Sequence, residues 1–104
     1  MARSIYAVSY DVDEKVQKEW QDWMTGNHIP EVVKSGKFKR ATLFRLKERQ
    51  SSFLTLYEAD NVEVIDAYLS GNAKRLREDY QKHFGNKSRL NRMILQEVFS
   101  YGNE

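Results

Sequence analysis

The residues best equipped for chemistry in this chain are a histidine, two tryptophans and a set of tyrosines. His28 stands in His28-Ile29-Pro30-Glu31, just ahead of a proline that suits the first turn of a helix. An imidazole titrates near neutrality, so His28 could shuttle a proton or hydrogen-bond a substrate. It could equally bond a backbone carbonyl and fix the turn, and the residues leave both readings open. Trp20 and Trp23 lie upstream on one helical face, where they fill a core or wall a pocket. A buried indole N–H needs a partner, which lets either one line a cavity. Tyr6, Tyr10, Tyr57, Tyr68 and Tyr80 could bring hydroxyls to the same place, or meet buried polar partners or a subunit interface instead. His83 follows a basic helical stretch and reads as a surface residue favoured by the helix dipole.

Other chemistries find no support. There is no cysteine, hence no disulfide, thiolate nucleophile or cysteine metal site. His28 and His83 are too far apart to form a recognisable metal motif, so no metal is expected. No glycine-rich phosphate loop is present, and Ser70-Gly71-Asn72 reads as an interruption in a helix. No cofactor is therefore expected. The formal net charge is +2, but it is uneven. Lys34 to Arg49 and Lys74 to Arg92 are both rich in basic residues, which could attract anions or nucleic acid and otherwise form solvated faces. The only apolar run near the start is Ile5 to Val8, too short for a signal or a membrane helix. The expectation is a soluble cytoplasmic protein with a single domain over 1–104.

The elements that must position these residues follow from periodicity. Residues 4–10 are β-branched and aromatic and predict a strand. Asp11 and Glu14 form a plausible capping pair. Val16, Trp20, Trp23 and Met24 share a helix face, and Gly26-Asn27 weakens that helix. Pro30 opens a second helical piece over 30–35, stopped by Gly36. Residues 38–49 alternate as a long strand, and 53–59 form its hairpin partner. Asp60 or Asn61 caps a helix whose apolar set is Ile65, Tyr68, Leu69, Ala73, Leu76, Tyr80 and Phe84, with a kink or restart at 70–72. Residues 88–99 make the last strand. Arg45, Lys47 and Arg49 fall on what should be an edge strand, where charge blocks unwanted strand addition.

The order β-α-β-β-α-β is the ferredoxin-like pattern. It predicts an α+β fold, a four-stranded antiparallel sheet with the helices on one face. The strands carry apolar residues on both parities, and the helices cover one face alone. The other face calls for a homodimer through the open sheet face.

Trp20-x-x-Trp23-Met24, His28-Ile29-Pro30-Glu31-Val32 and Gly36-Lys37-Phe38 together resemble the region from the first helix to the second strand in dimeric α/β-barrel proteins. Tyr57, Tyr68, Ala73, Leu76 and Phe84 extend the likeness along the chain. It is similar to a bacterial family of uncharacterised proteins of about this length, and more distantly to the antibiotic-biosynthesis-monooxygenase group. The resemblance implies a pocket between the helices and the concave sheet, with His28 near its mouth. It departs from the haem-degrading members, which use an Asn on the first strand; none occurs here, and no Trp follows Trp23.

Three functions compete. The first is binding of a small apolar or aromatic molecule held by Trp20, Trp23, Tyr57 and Tyr68, with His28 as the polar contact. Its enzymatic form is a cofactor-free monooxygenase-like reaction in which His28 deprotonates the substrate. The second is an RNA-binding module of the same strand order, with Tyr6 and Phe53 or Tyr57 stacking bases; the third strand lacks the basic-Gly-aromatic signature, so nucleic acid is not the expected partner. The third is a dimer with no ligand at all.

Overall fold

The structure is a computed structural model that describes residues 3–103; Met1, Ala2 and Glu104 of the expected 1–104 domain lie outside the described residues. Its first strand, β1, runs Ser4–Val12. A short 3-10 turn at Glu14–Val16 leads into α1, Gln17–Trp23. The turn is capped by Asp13, which accepts from the Lys15 N–H at 3.0 Å, rather than by the Asp11–Glu14 pair the sequence suggested. Asp11 is still inside β1, where it accepts from the Ser52 hydroxyl of the neighbouring strand.

Gly26 and Asn27 do not break the first helical arm. They widen it into a π-helical turn, Met24–His28, that continues into α2, Ile29–Gly36, with Pro30 in the first turn. Such bulges occur where a side chain must be re-aimed without ending the helix. Lys37 then stops α2 in a left-handed conformation, with φ 56°.

β2 is Arg40–Arg45, shorter than the predicted 38–49. Phe38 precedes the strand and turns into the core, while Lys47 and Arg49 lie in the turn after it, off the strand edge. β3 is Ser52–Ala59. Asn61 caps α3, Val62–Ser70, by accepting from the Val64 N–H at 3.2 Å. Ser70-Gly71-Asn72 makes a full break, and α4 runs Ala73–Phe84. β4 is Ser88–Gln96 instead of 88–99, because its partner β1 begins at Ser4 and one last bond, Glu97 N–H to Arg3 O, ends the ladder.

The sheet order is β2-β3-β1-β4, antiparallel throughout. Period-2 alternation divides its residues. Tyr6, Val8 and Tyr10 of β1 and Phe53, Thr55 and Tyr57 of β3 are buried on the helix side. Trp20, Met24, Val32, Ile65, Tyr68, Leu76, Tyr80 and Phe84 close over them. The opposite face carries Ile5, Ala7, Leu54 and Leu56, flanked by Phe44, Met93 and Leu95 at 48%, 43% and 42% exposed. No described helix is long and apolar enough to cross a membrane.

Candidate functional site

The core between helices and sheet is aromatic and falls into two clusters. At one end Trp20 packs on Phe53 and Tyr10, with ring centroids 4.6 and 5.1 Å apart. At the other, Tyr57 lies 5.8 Å from Tyr6 and 5.4 Å from Phe38. A small cavity of about 20 Å³ draws its lining from both clusters and from His28, Arg77 and Arg92. Such a space holds one water-sized group.

The π-helical turn delivers His28 to this cavity. The residue is 9% exposed, and its ring stacks on Trp23 at 5.1 Å and meets Tyr80 edge-on at 5.6 Å. Burial lowers its pKa to about 4; Asp79 acts in the opposite direction, and Arg92 lowers it further. The imidazole is therefore neutral at pH 7. Its Nδ1 is buried without a hydrogen-bond partner.

Tyr57 Oη and Arg77 Nε share that condition. Of the four buried side-chain polar atoms without a partner among the described residues, three thus belong to residues that line one cavity; the fourth is Thr55 Oγ1. Buried polar groups are nearly always paired, so a cluster of orphans marks a place where something is missing. Burial holds the Tyr57 phenol far above its ordinary range, and pushes Tyr68 up to about 12 against the pull of Arg77 and Arg92. Tyr10 and Tyr80 are raised for the same reason. These phenols are neutral donors at pH 7.

Outside lies a cleft of about 960 Å³, between the Trp23–Glu31 arm and α4. Trp23 is its aromatic wall, and stacks on His83 at 4.5 Å. Glu31, Glu78, Asp79, Arg75 and Lys82 give it a mixed-charge rim. His28 and Arg77 line both the cleft and the inner cavity, so the two spaces adjoin at these residues.

The expected site residues separate accordingly. His28, Tyr57 and Tyr68 meet at the inner cavity, and Trp23 reaches the cleft. Trp20 lines neither: it is fully buried and its indole N–H donates to the Tyr80 hydroxyl at 2.9 Å. Tyr6, Phe53 and Tyr57, named above as base-stacking residues, point toward the helices and are buried, so they offer no platform on the open sheet face. Arg77 and Arg92 were missed as site residues. Arg92 shares its strand parity with Leu90 and Ile94, and Arg77 lies on α4 between Leu76 and Tyr80; a cation in an apolar stripe was the available signal. No three of His, Cys, Asp and Glu gather to hold a metal ion among the described residues.

A four-stranded antiparallel sheet with its helices on one side defines a ferredoxin-like α+β fold. The chain belongs to the family described as a domain of unknown function, DUF4286, which matches residues 3–98. No curated protein matches it by sequence. Among solved structures it is similar to a mutant form of SnoaB, a cofactor-independent oxygenase from Streptomyces nogalater (TM-score 0.73, 9% identity, covering 97% of this chain and 98% of that one). It is also similar to a Nitrosomonas europaea protein provisionally assigned as an antibiotic biosynthesis monooxygenase (TM-score 0.72, 9% identity, 96% and 94% covered). A dimeric ferredoxin-like protein from an uncultured marine organism aligns with TM-score 0.62 and 10% identity, over 96% and 98% of the two chains. Identities this low speak to the fold alone.

Proposed function

We propose that this chain binds a small ring-bearing molecule in the cleft between the first helical arm and α4. The ring packs on Trp23, and a polar end passes His28 and Arg77 into the water-sized cavity. One observation carries this reading: three residues with an orphaned buried polar atom, His28, Tyr57 and Arg77, line one cavity, and His28 and Arg77 also line the adjoining aromatic-walled cleft. Each buried orphan costs about 1–3 kcal/mol. A ligand that pairs them recovers that cost on binding.

The test is a ligand-observed NMR screen of ring compounds, repeated on His28→Ala and Trp23→Ala variants checked for folding by circular dichroism. Binding that falls at least tenfold in both variants is expected. Binding to none of the compounds at millimolar concentration, or equal binding to all three proteins, overturns the reading.

The cofactor-free oxygenase reading rests on the same imidazole, and the fold likeness to SnoaB supports it. A conjugate acid near pKa 4 makes His28 a hydrogen-bonding partner first and a base second. Oxygen uptake in the presence of a bound compound, measured in an oxygen electrode, separates enzyme from binder.

The open face of the sheet is the proposed interface of a homodimer. Its apolar row is the supporting feature, and the dimeric ferredoxin-like relative accords with it.

A further inference from the structure

The inner cavity is cationic, and this says what the bound molecule carries. Among the described residues its lining contains two arginines, Arg77 and Arg92, and no carboxylate. Neither arginine forms an ion pair among the described residues; the acids that do so pair with Arg3, Lys18, Lys39 and His83. The carboxylate that opposes these charges is Asp79, whose effect reaches His28 from the outer cleft. The phenols of Tyr6, Tyr10, Tyr57, Tyr68 and Tyr80 are the remaining polar lining besides His28. Asp79, Glu31 and Glu78 lie on the outer cleft.

The two cations differ in weight. Arg77 is half-buried, with its Nε buried and unpaired. A guanidinium N–H in that state costs more than a neutral orphan and gains more from an anionic acceptor. Arg92 is more exposed, and solvent screens part of its charge.

Resting on the binding reading above, we infer that the polar end of the ligand is a carboxylate. One oxygen occupies the water-sized cavity, accepting from the Tyr57 hydroxyl. The other stays where the two spaces adjoin, facing Arg77. Burying even half of a guanidinium calls for a counter-charge, and a carboxylate matches its planar fork.

A phenol or enol oxygen is the competing occupant. It would need to lose its proton inside the site. An ordinary phenol at pKa about 10 faces an imidazole whose conjugate acid lies near 4, a gap of about six orders of magnitude. A carboxylate arrives already ionised and needs no base.

The experiment compares charge-matched pairs: benzoate against benzamide, and indole-3-carboxylate against indole-3-carboxamide. Affinity is read by isothermal titration at low and moderate salt, on the wild-type chain and on Arg77→Met, Arg77→Lys and Arg92→Gln. The wild type should prefer each acid over its amide at least tenfold. Arg77→Met should erase most of that preference by weakening the acids far more than the amides, and Arg92→Gln should erase a smaller part. Arg77→Lys keeps the charge, so a folded Lys variant that retains part of the preference confirms the electrostatic origin even where Met is poorly folded. If the amides bind as well as the acids, the carboxylate inference falls and the binding reading survives. If neither member of either pair binds the wild type at millimolar concentration, both fall.

Discussion

Trp20 and Tyr80, sixty positions apart in the chain, are joined by a buried hydrogen bond of 2.9 Å from the indole N–H to the phenol oxygen. The bond continues outward. Ser88 uses its one hydroxyl hydrogen on the Phe84 carbonyl at 2.8 Å, so Tyr80 donates to Ser88 Oγ, also at 2.8 Å. A single relay thus ties α1 to α4 and to the start of β4. It also explains why Trp20 belongs to the core and not to the ligand wall.

Tyr80→Phe removes the middle of this relay and leaves the Trp20 N–H buried without an acceptor. The expected loss is about 1–3 kcal/mol, the cost of one unsatisfied buried donor. Equilibrium urea denaturation followed by tryptophan fluorescence measures it. A midpoint equal to wild type would show that the relay adds nothing.

His28 makes stability depend on pH in a defined direction. Its folded pKa, about 4, lies below the ordinary 6.5, so between these values the unfolded chain binds a proton that the folded chain refuses. Its contribution is complete above pH 6.5 and declines as pH falls toward 4, by roughly 3 kcal/mol at most for a gap of this size. Thermal unfolding from neutral pH down to the folded pKa should show a steeper loss for wild type than for His28→Gln. Parallel curves for the two proteins would remove His28 as the cause.

Much of this was legible in the residues, and what was not has physical reasons. The strand alternation around Tyr6 and Tyr57 and the helical spacing from Ile65 to Phe84 are local patterns, visible without any partner. The end of β4 is not local: it stops where β1 begins, across the sheet. The π-helical turn reads as a helix break in the sequence because Gly26 and Asn27 weaken a helix, and only the packing of His28 on Trp23 and edge-on against Tyr80 of α4 shows why the chain carries through. Arg77 and Arg92 were hidden for another reason. Counting charge along the chain merges them with a basic patch, whereas the face each one occupies separates them from it.

The junction after α2 carries a test of backbone strain. Lys37 sits at φ 56°, a conformation that costs a non-glycine residue about 1–2 kcal/mol. Lys37→Gly relieves it but adds roughly 0.5–1 kcal/mol of unfolded-state freedom. A net gain of about 0.5 kcal/mol is expected. The neighbouring Gly36→Ala should do the opposite. Its added carbon would fall 2.7 Å from Phe38 Cδ2 and 3.0 Å from Tyr68 Cδ1, in a packed core where overfilling costs about 1–3 kcal/mol. Urea midpoints of the two variants should move in opposite directions, and a shared direction would contradict the geometry.

The open sheet face gives the last test, and it concerns assembly. Phe44 on β2 and Met93 on β4 are nearly half exposed, and the partly buried Leu54 and Leu56 lie between them on the same face. A contiguous apolar surface of this kind is unusual on a monomer. Each 100 Å² of apolar area covered is worth about 2.5 kcal/mol before the costs of association. A two-fold contact would cover every such residue twice. The wild-type chain at micromolar concentration should sediment at twice its 12.3 kDa subunit mass. Phe44→Glu with Met93→Glu places charges at positions already in contact with water, so the fold should survive while the pair dissociates. Sedimentation equilibrium with circular dichroism reads both. A wild-type protein that runs at 12.3 kDa in that range would leave the face wet, and the homodimer would have to be given up.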